Sequence, residues 1–133
     1  MDKGTEKILI VDDEPTIVQL GEKILTALGY KTLTACSGDE ACRIFQESTG
    51  EIDLVILDFV MPGMSGEETF HRLREIDPHV RVLLSSGYSQ EDEPQALIDQ
   101  GIQGFIQKPY VMKDLADAVR EALMGSPNVS SRS

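Results

Sequence analysis

The sequence predicts a doubly wound α/β domain, built on a five-stranded parallel sheet, and three observations predict it. Short apolar runs recur along the chain without in/out alternation, which marks strands covered on both faces. Stretches of helical period separate these runs. Strand and helix alternate five times, an order that right-handed crossovers fold into a parallel sheet with helices on both sides.

The strand candidates are Ile8-Leu9-Ile10-Val11, then Lys31 to Ala35 with its β-favouring Thr32 and Thr34. Leu54-Val55-Ile56-Leu57, Val82-Leu83-Leu84 and the weaker Gly104-Phe105-Ile106 follow. The first helix reads from Thr16 to Leu28, with Ile17, Leu20, Gly21, Ile24 and Leu28 on one face. Pro15 suits its N1 position and Gly29 its C′ position. Ser37 to Glu40 and Ser65 to Glu68 each spell S-x-x-E, the reciprocal capping box, ahead of Ala41-Ile44-Phe45 and Thr69-Phe70-Leu73-Ile76. A fourth helix is expected around Glu93 to Gln100, where Pro94 fits only in the first turn. A fifth is expected from about Lys113 to Met124, with Leu115, Val119 and Leu123 at helical spacing. Residues 1–125 therefore read as one domain, and the polar, aperiodic 126–133 as a tail or linker stub.

Composition bounds the function. The 133 residues, 41% hydrophobic, are enough for one core. Twelve basic residues against 23 acidic ones give a net charge of −11, which disfavours direct contact with nucleic acid or anionic lipid. Cys36 and Cys42 lack C-x-x-C spacing and read as reduced, largely buried thiols of a cytoplasmic protein. No apolar run approaches the ~20 residues of a membrane helix, and residues 1–7 carry no signal-peptide core. The expectation is a soluble, unexported chain.

Ligands of such sheets sit beyond the carboxyl ends of the strands. There the sequence puts Asp12 and Asp13 after the first strand, Asp58 at the end of the third, Ser85 and Ser86 at the end of the fourth, and Lys108 after the fifth. Each has an ordinary reading alone: Asp12 or Asp13 as a helix cap, Asp58 as a turn residue before Met61-Pro62-Gly63, Ser86 as a loop residue before Gly87, Lys108 as a solvated cation. Four strand ends with complementary chemistry are harder to explain that way. Crowded carboxylates repel one another unless a cation compensates, and an oxygen-only ligand set favours Mg²⁺.

Ile8-Leu9-Ile10-Val11-Asp12-Asp13-Glu14-Pro15, Leu57-Asp58-Phe59-Val60-Met61-Pro62-Gly63-Met64-Ser65-Gly66, Leu84-Ser85-Ser86-Gly87-Tyr88 and Phe105-Ile106-Gln107-Lys108-Pro109 together resemble the response-regulator receiver family, over about residues 6–124. The resemblance implies a flavodoxin-like strand order, 2-1-3-4-5. It implies Asp58 as phosphoacceptor, with Asp13, Asp58 and the Val60 carbonyl as Mg²⁺ ligands and Asp12 acting through metal-bound water. It further implies Lys108 as the phosphate-binding lysine, a cis peptide before Pro109, and a Ser86–Phe105 switch. Under it, phosphate draws the Ser86 hydroxyl inward and Phe105 turns into the vacated space, reshaping the face of the last two helices; Phe105 as plain core remains the alternative. The implied partners are a histidine kinase or histidine phosphotransfer protein and a downstream protein target.

Such a domain catalyses only its own phosphorylation and dephosphorylation. Mg²⁺, Lys108 and Ser86 would stabilise the charge spread over the transferring phosphoryl group. Two rivals are an aspartate-nucleophile phosphatase of the haloacid-dehalogenase type and a flavodoxin-like FMN carrier. The first lacks its Asp-x-Asp element at Asp58-Phe59-Val60, and the second would have to seat a phosphate on Asp12-Asp13-Glu14. A third is a receiver-shaped module that is never phosphorylated. His71 and His79 read as surface histidines, Met61 and Met64 as packing residues, and Tyr88 as a loop residue that could tune water access. The stretches Gly4-Thr5-Glu6-Lys7 and Leu84 to Tyr88 resemble receivers of hybrid kinases, and no output domain is expected within the sequence.

Overall fold

A computed structural model describes residues 6–48, 50–59, 61, 63–86 and 99–124, with the backbone alone at Ser86. The strands are β1 (Lys7–Val11), β2 (Lys31–Ala35), β3 (Leu54–Asp58), β4 (Val82–Ser86) and β5 (Gly104–Gln107). The helices are α1 (Pro15–Ala27), α2 (Gly38–Glu47), α3 (Gly66–Ile76) and α4 (Met112–Met124). All strand pairs are parallel, in the order β2-β1-β3-β4-β5. The predicted doubly wound sheet and its strand order are observed. Most of the helix expected at Glu93 to Gln100, together with Val60, Tyr88 and residues 126–133, lies outside the described residues.

The continuous apolar runs are buried on both sides, as their lack of alternation requires: Ile8 to Val11 and Leu54 to Leu57 are fully buried. Pleating sorts them into two layers. Leu9, Val11, Val55, Leu57, Val82 and Leu84 face α2 and α3, where Phe45, Phe70 and Leu73 complete a layer with Phe105 partly buried against it. Ile8, Ile10, Leu54, Ile56, Leu83 and Ile106 face α1 and α4, against Ile24, Leu25, Leu115 and Val119.

Local signals set the helix ends. Pro15 opens α1, and Gly29, at φ +101°, supplies the left-handed residue after its last turn. Ser37 and Ser65 accept hydrogen bonds from the backbone N–H groups of Glu40 and Glu68, each at 3.1 Å. The return half of the first box departs from expectation, because Glu40 Oε1 accepts from the Cys36 N–H at 2.9 Å rather than from Ser37. That bond corrects the expectation of two buried thiols. Cys36 sits just beyond β2, exposed and directed at Glu40, which pushes the thiol pKa up, while Cys42 is half-buried. Among the described residues no helix is long and apolar enough to cross a membrane.

Candidate functional site

The inner layer on the α1/α4 side changes character at the carboxyl ends of the strands. Asp12 stands two residues beyond Ile10, Asp58 two beyond Ile56, Ser85 two beyond Leu83 and Lys108 two beyond Ile106, so pleating turns all four toward one face. Asp58 and Ser85 are register partners in the sheet. Asp12 is fully buried and Asp58 is 2% exposed. Asp13, on the opposite phase, is exposed, yet one carboxylate oxygen from each of Asp12, Asp13 and Asp58 lies within 4.8 Å of the others.

Lys108 crosses into this cluster. Its ammonium donates to Asp12 Oδ2 at 2.9 Å and lies 3.3 Å from Asp58 Oδ1 and 4.0 Å from Glu14 Oε1. Burial works against its charge, but the hydrogen bond it donates to Asp12 and the charges of Asp58 and Asp12 outweigh burial and raise the lysine pKa above its ordinary value. The peptide between Lys108 and Pro109 is cis, as expected. One ammonium faces three carboxylates, which leaves room for a further cation. The all-oxygen donor set fits a small hard divalent ion, with Asp12, Asp13 and Asp58 as the side chains that would hold it.

The backbone fixes Asp58 from both directions. Phe59 N–H donates to the Ser85 carbonyl at 2.9 Å, and Gly66 N–H to the Phe59 carbonyl at 3.0 Å. Gly66 also has no room for a side chain: a Cβ there would stand 2.6 Å from Phe59 Cα and would collide with the Asp58 carbonyl oxygen. Neither Asp12 nor Asp13 caps α1, whose N-cap is Glu14. Asp12 Oδ1 instead accepts the Glu14 N–H at 2.9 Å.

The structure thus brings together Asp12, Asp13, Asp58 and Lys108. Phe105 lies on the other face of β5, half-buried; the Ser86 side chain and Val60 lie outside the described residues. His71 and His79 are exposed and Met61 is packed, as expected. Sequence reasoning missed two contributors, Glu14 near Lys108 and the buried Tyr110, and placed Ser85 at the strand edge without giving its buried side chain a role. Ser85 carried a signal, since it continues the inward phase of Leu83 in a buried strand.

Comparison with known proteins agrees with this geometry. The model of the response regulator receiver domain matches residues 8–120. The sensor kinase CckA of Brucella abortus (strain 2308) is 36% identical over 120 residues, covering 90% of this chain but 13% of the kinase, so the chain spans a small part of that relative's length. Sporulation initiation phosphotransferase F of Bacillus subtilis (strain 168) is 36% identical over 118 residues, covering 89% of this chain and 94% of that protein. The crystal structure of the CheX-CheY-BeF3-Mg+2 complex from Borrelia burgdorferi superimposes with a TM-score of 0.81 at 30% identity, covering 86% of each chain.

Proposed function

Because the chain belongs to the response regulator receiver domain family of two-component signalling, we propose that Asp58 is its phosphoacceptor, working with Mg²⁺ and Lys108. The observation that carries this reading is the Lys108 ammonium between two buried carboxylates, 2.9 Å from Asp12 and 3.3 Å from Asp58, at the carboxyl edge of the sheet.

Phosphoryl transfer has a loose transition state with negative charge on three equatorial oxygens, so positioned cations count for more than acid–base groups. An Asp58 carboxylate oxygen attacks phosphorus as the bond from phosphorus to the donor breaks, and the donor keeps the bonding electron pair. Lys108, already charged and held by Asp12, turns from Asp58 Oδ1 to a phosphoryl oxygen. Asp12, Asp13, Asp58 and the Val60 carbonyl would hold the divalent cation, which would supply further charge neutralisation. Hydrolysis of the acyl phosphate returns Asp58 to its carboxylate and resets the signal.

The donor is a phosphohistidine on a histidine kinase or phosphotransfer protein, and the setting is cytoplasmic, in keeping with two free cysteines. The domain is a signalling module that catalyses only reactions of its own aspartate. Output runs through the Ser86 hydroxyl and the half-buried Phe105 ring to a protein that reads the face around β5 and α4. Whether it works alone or as part of a longer kinase, the chemistry at Asp58 is the same.

Incubation with acetyl phosphate and Mg²⁺ should add one phosphoryl group, detected by intact-protein mass spectrometry. Asp58→Asn should take up none. Labelling that persists in Asp58→Asn, or that proceeds unchanged with excess chelator, would contradict the assignment.

A further inference from the structure

Beside the Asp12, Asp58 and Lys108 cluster lie two buried hydroxyls that the reaction just described does not use. Ser85 is fully buried, Tyr110 is 5% exposed, and among the described residues neither side-chain oxygen has a hydrogen-bond partner. A buried hydroxyl without a partner is a net cost that a phenylalanine or alanine of the same shape would avoid. The Tyr110 ring is held in place independently of its hydroxyl. It packs in the α1/α4 layer against Gly21, where a Cβ would stand 3.2 Å from Tyr110 Cε2. Ser85 is the register partner of both Asp58 and Ile106, which puts its hydroxyl on the face that carries the acidic cluster.

The surroundings of the phenol show what it is near. The Ser85 hydroxyl is close enough to ease its ionisation although the two do not meet at bonding geometry, and of the charges acting on it Asp12 weighs most, ahead of Lys108 and Asp58. Asp12, fully buried, has Glu14 N–H on one oxygen and the Lys108 ammonium on the other. If Lys108 turns toward a phosphoryl group on Asp58, Asp12, which would also face the cation, gives up the lysine's hydrogen bond while remaining buried.

We propose that Tyr110 is a positioning residue for the phosphorylated state: its hydroxyl, oriented by Ser85, donates to Asp12 when Lys108 is drawn to the phosphoryl group. No bond is made or broken in this step. One donor replaces another on a buried carboxylate, and the cluster keeps its shape through transfer. The inference rests on the reading of Asp58 as phosphoacceptor.

The test compares wild type, Tyr110→Phe, Ser85→Ala and the double variant. Two quantities are read with Mg²⁺ present: the half-life of the phosphoprotein made with acetyl phosphate, and the affinity for beryllofluoride as a phosphoryl mimic. Circular dichroism checks the fold of each variant. Tyr110→Phe should change the half-life and weaken beryllofluoride binding by about fivefold, with Mg²⁺ affinity of the unphosphorylated protein within about twofold. The double variant should be no worse than the more affected single one, since both hydroxyls serve one contact. Equal half-lives and affinities in wild type and Tyr110→Phe, or effects that multiply in the double variant, would overturn the proposal. A wild type that accepts no phosphoryl group, or accepts it away from Asp58, would instead bring down the phosphoacceptor reading and this inference with it.

Discussion

The two layers of the sheet use the same five strands and end in opposite chemistry. Toward α2 and α3, successive inward positions stay apolar up to Val11, Leu57, Leu84 and Phe105. Toward α1 and α4, Ile10, Ile56, Leu83 and Ile106 give way, two residues on, to Asp12, Asp58, Ser85 and Lys108. A single step along each strand separates a dry core from a charged site. The α2/α3 layer supplies rigidity, and the α1/α4 layer supplies a pre-formed cluster whose charges are desolvated by the same packing that holds the sheet together.

That division predicts which perturbations cost stability and which cost function. The largest effect should come from the apolar side. Phe70 is 1% exposed, and Phe70→Ala should destabilise the fold by about 3–5 kcal/mol through lost burial and the cavity left behind. Denaturant unfolding would measure this, and the phosphorylation rate per folded molecule should be little changed. A large loss of that rate would mean the layers are not separable. On the charged side, Lys108→Ala should slow phosphorylation by acetyl phosphate about 10²-fold, a loss of about 2.7 kcal/mol of transition-state stabilisation. Stopped-flow or mass-spectrometric time courses would give the rate.

The third expected difference concerns pH. Burial pushes the Tyr110 phenol up to about 12, against an ordinary value of 10.0. Between those values the folded protein holds a proton that the unfolded chain has released. Stability is therefore unaffected below about pH 10 and falls as pH rises toward about 12, by about 2–3 kcal/mol in all. The raised pKa of Lys108 acts in the same direction above its ordinary value of 10.5. Tyr110→Phe should flatten the Tyr110 part of this loss in unfolding curves taken across the alkaline range. An unchanged alkaline profile would show that the phenol is not buried in the way described.

How far the sequence spoke differs between the layers as well. The apolar runs predicted β1, β3, β4 and β5, because strands covered on both faces need little beyond composition to be recognised, whereas the edge strand β2, found over Lys31–Ala35 as expected, was read from its threonines. Asp13, Asp58 and Lys108 were legible because they end strands, and strand ends in a parallel sheet share one edge. The role of Tyr110 was not. It lies past the end of β5, where strand phase no longer applies, and its burial depends on α1 offering Gly21 rather than a larger residue. Cys36 was misread for a related reason: its orientation follows from the bond that Glu40 makes to its backbone, a turn-level choice that hydrophobicity does not encode.

The smallest predicted effect tests whether a local signal in the α2/α3 layer reaches the charged site. Ser65 caps α3 by accepting the Glu68 N–H at 3.1 Å, and its carbonyl also accepts from the Thr69 hydroxyl at 2.8 Å. The cap lies on the segment that carries Gly66, whose N–H is tied to the Phe59 carbonyl one residue beyond Asp58. Removing the serine oxygen leaves an N-terminal N–H of the helix without its cap, so Ser65→Ala should cost about 1 kcal/mol. Ser37→Ala, which uncaps α2, should cost a similar amount. If the segment from Asp58 to Gly66 is rigid through its backbone bonds, both variants should phosphorylate at the wild-type rate. A slower rate in Ser65→Ala alone would mean that the α3 cap, and with it the α2/α3 layer, helps to aim the aspartate.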